Sequence, residues 1–135
     1  MYITILGRQP VLGIAELECL YGAENVRWFS DMTALVDLPA LDFERLGGSQ
    51  KAGRVVAELR GDWRGISSHI VKSYESSWRD QQGKITLGIS AYGFRVTARD
   101  VQKTGLILKS KLKHHGVSLR LIPNTEPALN TASAA

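Results

Sequence analysis

The sequence is poor in the residues that build reactive centres. Cys19 is the only cysteine among 135 residues, so the chain can form neither an internal disulfide nor a cysteine-based zinc site. Its three histidines, His69, His114 and His115, are too few and too scattered for an all-histidine metal site. No apolar run approaches the roughly 18 residues that a membrane-spanning helix needs. The opening residues, Met1 to Arg8, have no basic stretch ahead of their apolar ones and no small-residue cleavage site. Secretion and membrane insertion are disfavoured, and a reducing, cytoplasmic setting is the expectation.

Catalytic patterns are missing too. Gly47-Gly48-Ser49-Gln50-Lys51 hints at a phosphate loop but lacks the Walker spacing, and reads as a helix stop. Glu16 and Glu18 stand two apart on a helical segment and point in different directions, which disfavours a shared acid–base pair. Cys19 has no basic neighbour in sequence to activate it and reads as a small core hydrophobe. His69 lies just off the apolar stripe of its helix, while His114-His115 ends another helix and reads as structural. No catalytic residue is assigned.

What is present is an ordinary globular composition, 44% hydrophobic and 22% charged, with a sharp step in charge. Residues 1–61 carry six basic and eight acidic side chains, a net of −2. Residues 62–135 carry eleven basic and five acidic ones, a net of +6. From Lys84 to Arg120 eight basic residues face a single acid, Asp100. Such a block fits contact with a polyanion, because neutralised phosphates release counterions and drive association.

The first 61 residues read as strands at 2–6, 26–29, 34–38 and 54–60, with helices at 12–21 and 41–46. That order is βαββαβ, the ferredoxin-like split arrangement. Gly61-Asp62 marks the domain boundary, and Asp62 is a candidate N-cap for a helix from Trp63 towards Arg79. Its apolar residues Ile66, Ile70, Tyr74 and Trp78 recur every four positions. A strand follows over 84–92, Gly93 marks a turn, and Thr97 with Asp100 forms a capping-box pattern. The helix it opens runs to about His115 and stops at Gly116, ahead of a strand over 117–122. After Asn124 the sequence is short, polar and alanine-rich, and no closing element is expected there. The fold class is therefore α+β, with domains over 1–61 and 62–135.

On the helix from Thr97, the 100° spacing gathers Val101, Gly105, Leu108 and Leu112 into a buried stripe. Arg99, Lys103, Lys109 and Lys113 fall towards the opposite side, with Lys111 on one flank. Lys84, Arg95 and Arg120 sit at or near strand ends and extend this basic patch if the two strands are neighbours. Together Lys84, Arg95, Arg99, Lys103, Lys109, Lys113 and Arg120 are the candidate RNA-binding set. Tyr92 and Phe94, on either side of Gly93, offer faces for stacking on unpaired bases, or else belong to the core.

Several stretches also carry a resemblance. Residues 5–18, Ile-Leu-Gly-Arg-Gln-Pro-Val-Leu-Gly-Ile-Ala-Glu-Leu-Glu, and residues 45–51, Arg-Leu-Gly-Gly-Ser-Gln-Lys, resemble the N-terminal ferredoxin-like domain of the tRNA guanosine-10 methyltransferase family. Residues 85–93, 100–109 and 118–124 resemble the THUMP domain that follows it there. The resemblance implies a non-catalytic tRNA-binding portion, with a partial THUMP-like domain gripping the acceptor end. It also implies a separate methyltransferase domain in cis, which holds S-adenosylmethionine. That domain carries an Asp/Asn-Pro-Pro-aromatic motif; prolines 10, 39, 123 and 127 of this chain are all isolated. No cofactor is therefore expected on this chain itself. The different class of reading is a protein-interaction or assembly module, built on a helix at 12–21 that is apolar on both sides.

Overall fold

The computed structural model describes residues 1–130. It is mixed α+β and divides into two compact units, the first Met1–Glu58 and the second starting at Leu59.

In the first unit, strand β1 (Tyr2–Leu6) leads into helix α1 (Pro10–Tyr21), which is followed by β2 (Val26–Ser30), β3 (Thr33–Val36) and β4 (Ser49–Arg54). The four strands form one sheet in the order β2-β3-β1-β4, and every neighbouring pair is antiparallel. Alternation along the strands turns Leu6, Ala34, Val36 and Val26 into a shared core with Ile14 and Leu17 of α1, closed by Leu46. Leu6 and Leu17 are fully enclosed, each burial contributing about 1.5–3 kcal/mol.

Two elements differ from the sequence expectation. The helix expected over 41–46 is a single 3-10 turn, Phe43–Arg45, whose N-terminal Asp42 makes no side-chain cap. So short a segment, flanked by Pro39 and Gly47-Gly48, cannot repay the cost of a helical nucleus. The strand expected over 54–60 instead occupies Ser49–Arg54. Its position follows from β1: Tyr2 pairs with Arg54, and the Val55 N–H reaches Met1 O at 3.0 Å.

The loop entering β4 is held by close contact. Gly7 N–H donates to Gly48 O at 2.9 Å. A Cβ on Gly13 would lie 2.7 Å from that same oxygen, so α1 touches the loop backbone directly. Both Glu16 carboxylate oxygens accept from this loop, one from Gly47 N–H and one from Gly48 N–H, each at 3.0 Å. The Gly47-Gly48 segment is thus neither a helix stop nor a phosphate cradle, because a carboxylate of the chain itself occupies its donors. Cys19 also departs from expectation and is exposed. The buried stripe of α1 is Gly13, Ile14 and Leu17, which rotates Cys19 outward.

The second unit contains α2 (Trp63–Trp78), β5 (Lys84–Leu87), α3 (Ala98–His114) and β6 (Ser118–Leu121). Asp62 caps α2 by accepting from Gly65 N–H at 2.9 Å. At α3 the capping box is complete: Thr97 Oγ1 accepts from Asp100 N–H, and the Asp100 carboxylate accepts in return from Thr97. The helix ends at Gly116, with φ of 77°. Strands β5 and β6 pair in parallel, Lys84 opposite Ser118 and Leu87 opposite Leu121, so β5-α3-β6 is a crossover unit. Val71, Leu108, Leu112, Val117 and Leu119 form its core. Gly105 sits against the sheet, where a Cβ would come within 2.5 Å of Leu121.

Strand β5 is shorter than the expected 84–92, and the residues after it are held by the chain end instead. Asn124 Nδ2 donates to Ile89 O, Ala91 N–H to Pro127 O, and Leu129 N–H to Ser90 Oγ. Leu129 is buried, and its side chain would meet a Cβ on Gly88 at 2.7 Å. Residues 122–130 thus close the unit where no closing element was expected; residues 131–135 lie outside the described residues.

Candidate nucleic-acid interface

Helices α2 and α3 pack against each other and run in the same direction. Trp63, at the start of α2, meets Phe94 just before α3, with ring centroids 5.7 Å apart. Near the other end, Glu75 of α2 binds Lys111 Nζ at 3.5 Å and His115 Nε2 at 3.2 Å. Between the helices runs a groove of about 740 Å³. Arg64, Ser67, Val71 and Lys72 line it from α2, and Lys103, Ile107 and Lys111 from α3.

The groove's charge is unbalanced once its ion pairs are assigned. Four basic side chains, Arg64, Lys72, Lys103 and Lys111, line it with two acids, Glu75 and Asp100. The Asp100 carboxylate is engaged in the Thr97 capping box. Glu75 is engaged with Lys111 and His115, and the His115 hydrogen bond holds its carboxyl below the ordinary range against an opposing effect of desolvation. Lys111 adds a further lowering attraction. Arg64, Lys72 and Lys103 have no acidic partner within salt-bridge distance among the described residues.

The seven candidate residues do not gather on one face. Lys103 lies in the groove. Arg99, Lys109 and Lys113 are exposed elsewhere on α3, and Arg95 is exposed in the segment before it. Lys84 and Arg120 do sit on neighbouring strands. Strand alternation, however, sends Ile85, Leu87, Leu119 and Leu121 to the helix-covered core and leaves Lys84 and Arg120 on the other side of the sheet. They therefore extend no patch on α3. Arg64 and Lys72 are the cations that sequence reading missed. Arg64 lies about two turns before the buried Val71 and Lys72 directly after it, but only the packing of α2 on α3 shows which α2 flank meets Lys103.

Of the two aromatics offered for stacking, Phe94 packs against Trp63 yet stays 38% exposed. Among the described residues no cluster of three or more histidine, cysteine, aspartate or glutamate side chains is placed to hold a metal. No helix of the described residues is long and apolar enough to cross a membrane. Comparison with known protein families, curated proteins and solved structures finds no match for this chain.

Proposed function

We propose that this chain is a non-catalytic RNA-binding portion of a tRNA guanosine methyltransferase-type protein, with the α2–α3 face of its second unit meeting tRNA. The observation that carries the reading is the groove in which Arg64, Lys72 and Lys103 have no acidic partner within salt-bridge distance among the described residues. Cations held on two packed helices without neutralising acids attract phosphates, and their side chains track a backbone without reading sequence. The antiparallel order β2-β3-β1-β4, with α1 between β1 and β2, supports a ferredoxin-like reading of the first unit in which the second helix has shrunk to a turn. The parallel β5-α3-β6 unit supports a THUMP-like reading of the second. Methyl transfer and S-adenosylmethionine belong, on this reading, to a separate domain in a cytoplasmic protein.

The test is tRNA binding by fluorescence anisotropy across a salt series, for wild type and for the variant R64E/K72E/K103E. Wild type should bind, with a log–log salt slope of roughly −0.7 to −0.9 per neutralised phosphate. The variant should lose affinity and flatten the slope by about one unit for each contact removed. A folded variant that binds with wild-type affinity and slope would refute the assignment.

A second reading, an interaction or assembly module, draws on a different observation: Val11 and Leu12 on the outer side of α1 are 73% and 66% exposed. Substituting Leu12→Lys separates the two readings, since it should leave tRNA affinity unchanged while abolishing any contact made through α1.

A further inference from the structure

The groove does not end on charge alone. Trp63 lines it beside Arg64, and Phe94 leans against Trp63 with ring planes inclined at 60°. In a tilted pair the edge of one ring lies against the face of the other, so neither ring has both of its faces covered by its partner. Phe94 keeps more than a third of its surface in solvent, so an aromatic surface is accessible beside the groove. The aromatics stand at the end of the groove where both helices begin, and Arg64 and Lys103, unpaired among the described residues, lie within about two turns of those starts.

We infer that this end of the groove is a base-stacking subsite for unpaired RNA, with Trp63 and Phe94 as the platform and Arg64, Lys72 and Lys103 holding the adjoining phosphates. The inference rests on the RNA-binding reading above and names the kind of RNA. Two helices in contact lie about 8–10 Å apart, so their groove admits a single strand, whereas a duplex can only ride on the rims. In a duplex the base faces are stacked on one another and cannot reach an aromatic side chain. Single strands offer those faces freely, and a cationic track beside aromatic rings is the usual way of holding them. The volume of about 740 Å³ is that of a small-ligand pocket, on the scale of a few nucleotide units.

The full chain should be titrated with a short unstructured RNA oligonucleotide and, separately, with a blunt duplex of the same sequence. Binding is read by anisotropy and by quenching of tryptophan emission. The single strand should bind more tightly than the duplex and quench emission. The Trp63→Phe variant should keep most of the affinity but lose most of the quenching. The Trp63→Leu variant, which preserves apolar bulk without a ring, should lose affinity for the single strand roughly five- to 150-fold and leave duplex binding unchanged. Should Trp63→Leu fail to fold by circular dichroism, the Phe94→Leu variant and the Trp63→Phe quenching comparison carry the same decision. Equal affinity for strand and duplex, or quenching that survives in Trp63→Phe, overturns the subsite while leaving the phosphate-binding reading intact. Absence of salt-dependent binding to either RNA overturns both.

Discussion

Replacing Gly13 by alanine sets two physical effects of opposite sign against each other. Gly13 lies inside α1, where alanine is favoured over glycine by about 0.8–1.0 kcal/mol. The added Cβ, however, would sit 2.7 Å from Gly48 O and 3.0 Å from Leu6 Cδ2. The first contact is with backbone, and that backbone is pinned by Gly7 N–H on the oxygen and by Glu16 on the adjacent amides. Overpacking of this kind costs about 1–3 kcal/mol, and moving the loop away would weaken hydrogen bonds contributing about 0.5–1.5 kcal/mol each. The unfavourable effects win, and G13A should destabilise the first unit by about 1–2 kcal/mol. Gly65 supplies the control. It lies in the first turn of α2, and its Cβ would meet only the end of the exposed Asp62 side chain at 3.3 Å. G65A should therefore fall within about 0.5 kcal/mol of wild type or stabilise. Urea unfolding, followed by circular dichroism and tryptophan emission, reads both. If G13A matches or exceeds wild-type stability, the close approach of α1 to the Gly48 loop is not the constraint described above.

The remaining predictions are narrower. E16A removes both acceptors for the Gly47 and Gly48 amides and should cost about 1–2 kcal/mol in urea unfolding, with E16Q between it and wild type; an E16A variant as stable as wild type would show that the clamp contributes nothing. Leu112, fully enclosed in the second core, should cost about 2–5 kcal/mol when replaced by alanine, read as the loss in the second unit's unfolding transition. Glu75 has its carboxyl depressed in the folded chain, so its pairing with His115 and Lys111 contributes stability above the ordinary carboxylate range and loses it as pH falls through the folded value. The difference in thermal midpoint between wild type and Glu75→Gln should accordingly shrink in acid, and a constant difference would contradict the pairing. Cys19, being exposed, should react with an aromatic disulfide reagent in the native protein as fast as in a short peptide, where slow reaction would restore a core position. Titration calorimetry with S-adenosylmethionine should show no saturable heat on this chain.

Short-range chemistry was legible in the residues themselves. Asp62 and Thr97 cap their helices through side-chain oxygens that reach amides three residues ahead, an interaction settled within one turn of chain. The stripe Val101, Gly105, Leu108 and Leu112 is buried as its spacing requires, and the hairpin of β2 and β3 turns at Asp31-Met32 between two apolar runs. Each of these depends on neighbours within a few positions. The charge step near residue 61 belongs here too, since it is a property of composition.

What spacing could not reveal was decided by partners distant in sequence. The position of β4 is set by its antiparallel pairing with β1 and by an α1 carboxylate more than thirty residues from the loop it holds. Apolar content alone made 54–60 look like a strand, but a strand exists only where another strand offers its amides and carbonyls. Cys19 is exposed because Gly13 allows α1 to roll its Ile14–Leu17 side onto the sheet. The basic residues divide for the same reason. Lys84 and Arg120 follow the two-residue alternation of a sheet whose other face is covered by helices, whereas Lys103 meets Arg64 and Lys72 only because α2 packs beside α3. Local sequence determines which way a side chain faces on its own element, and tertiary packing determines what that face meets.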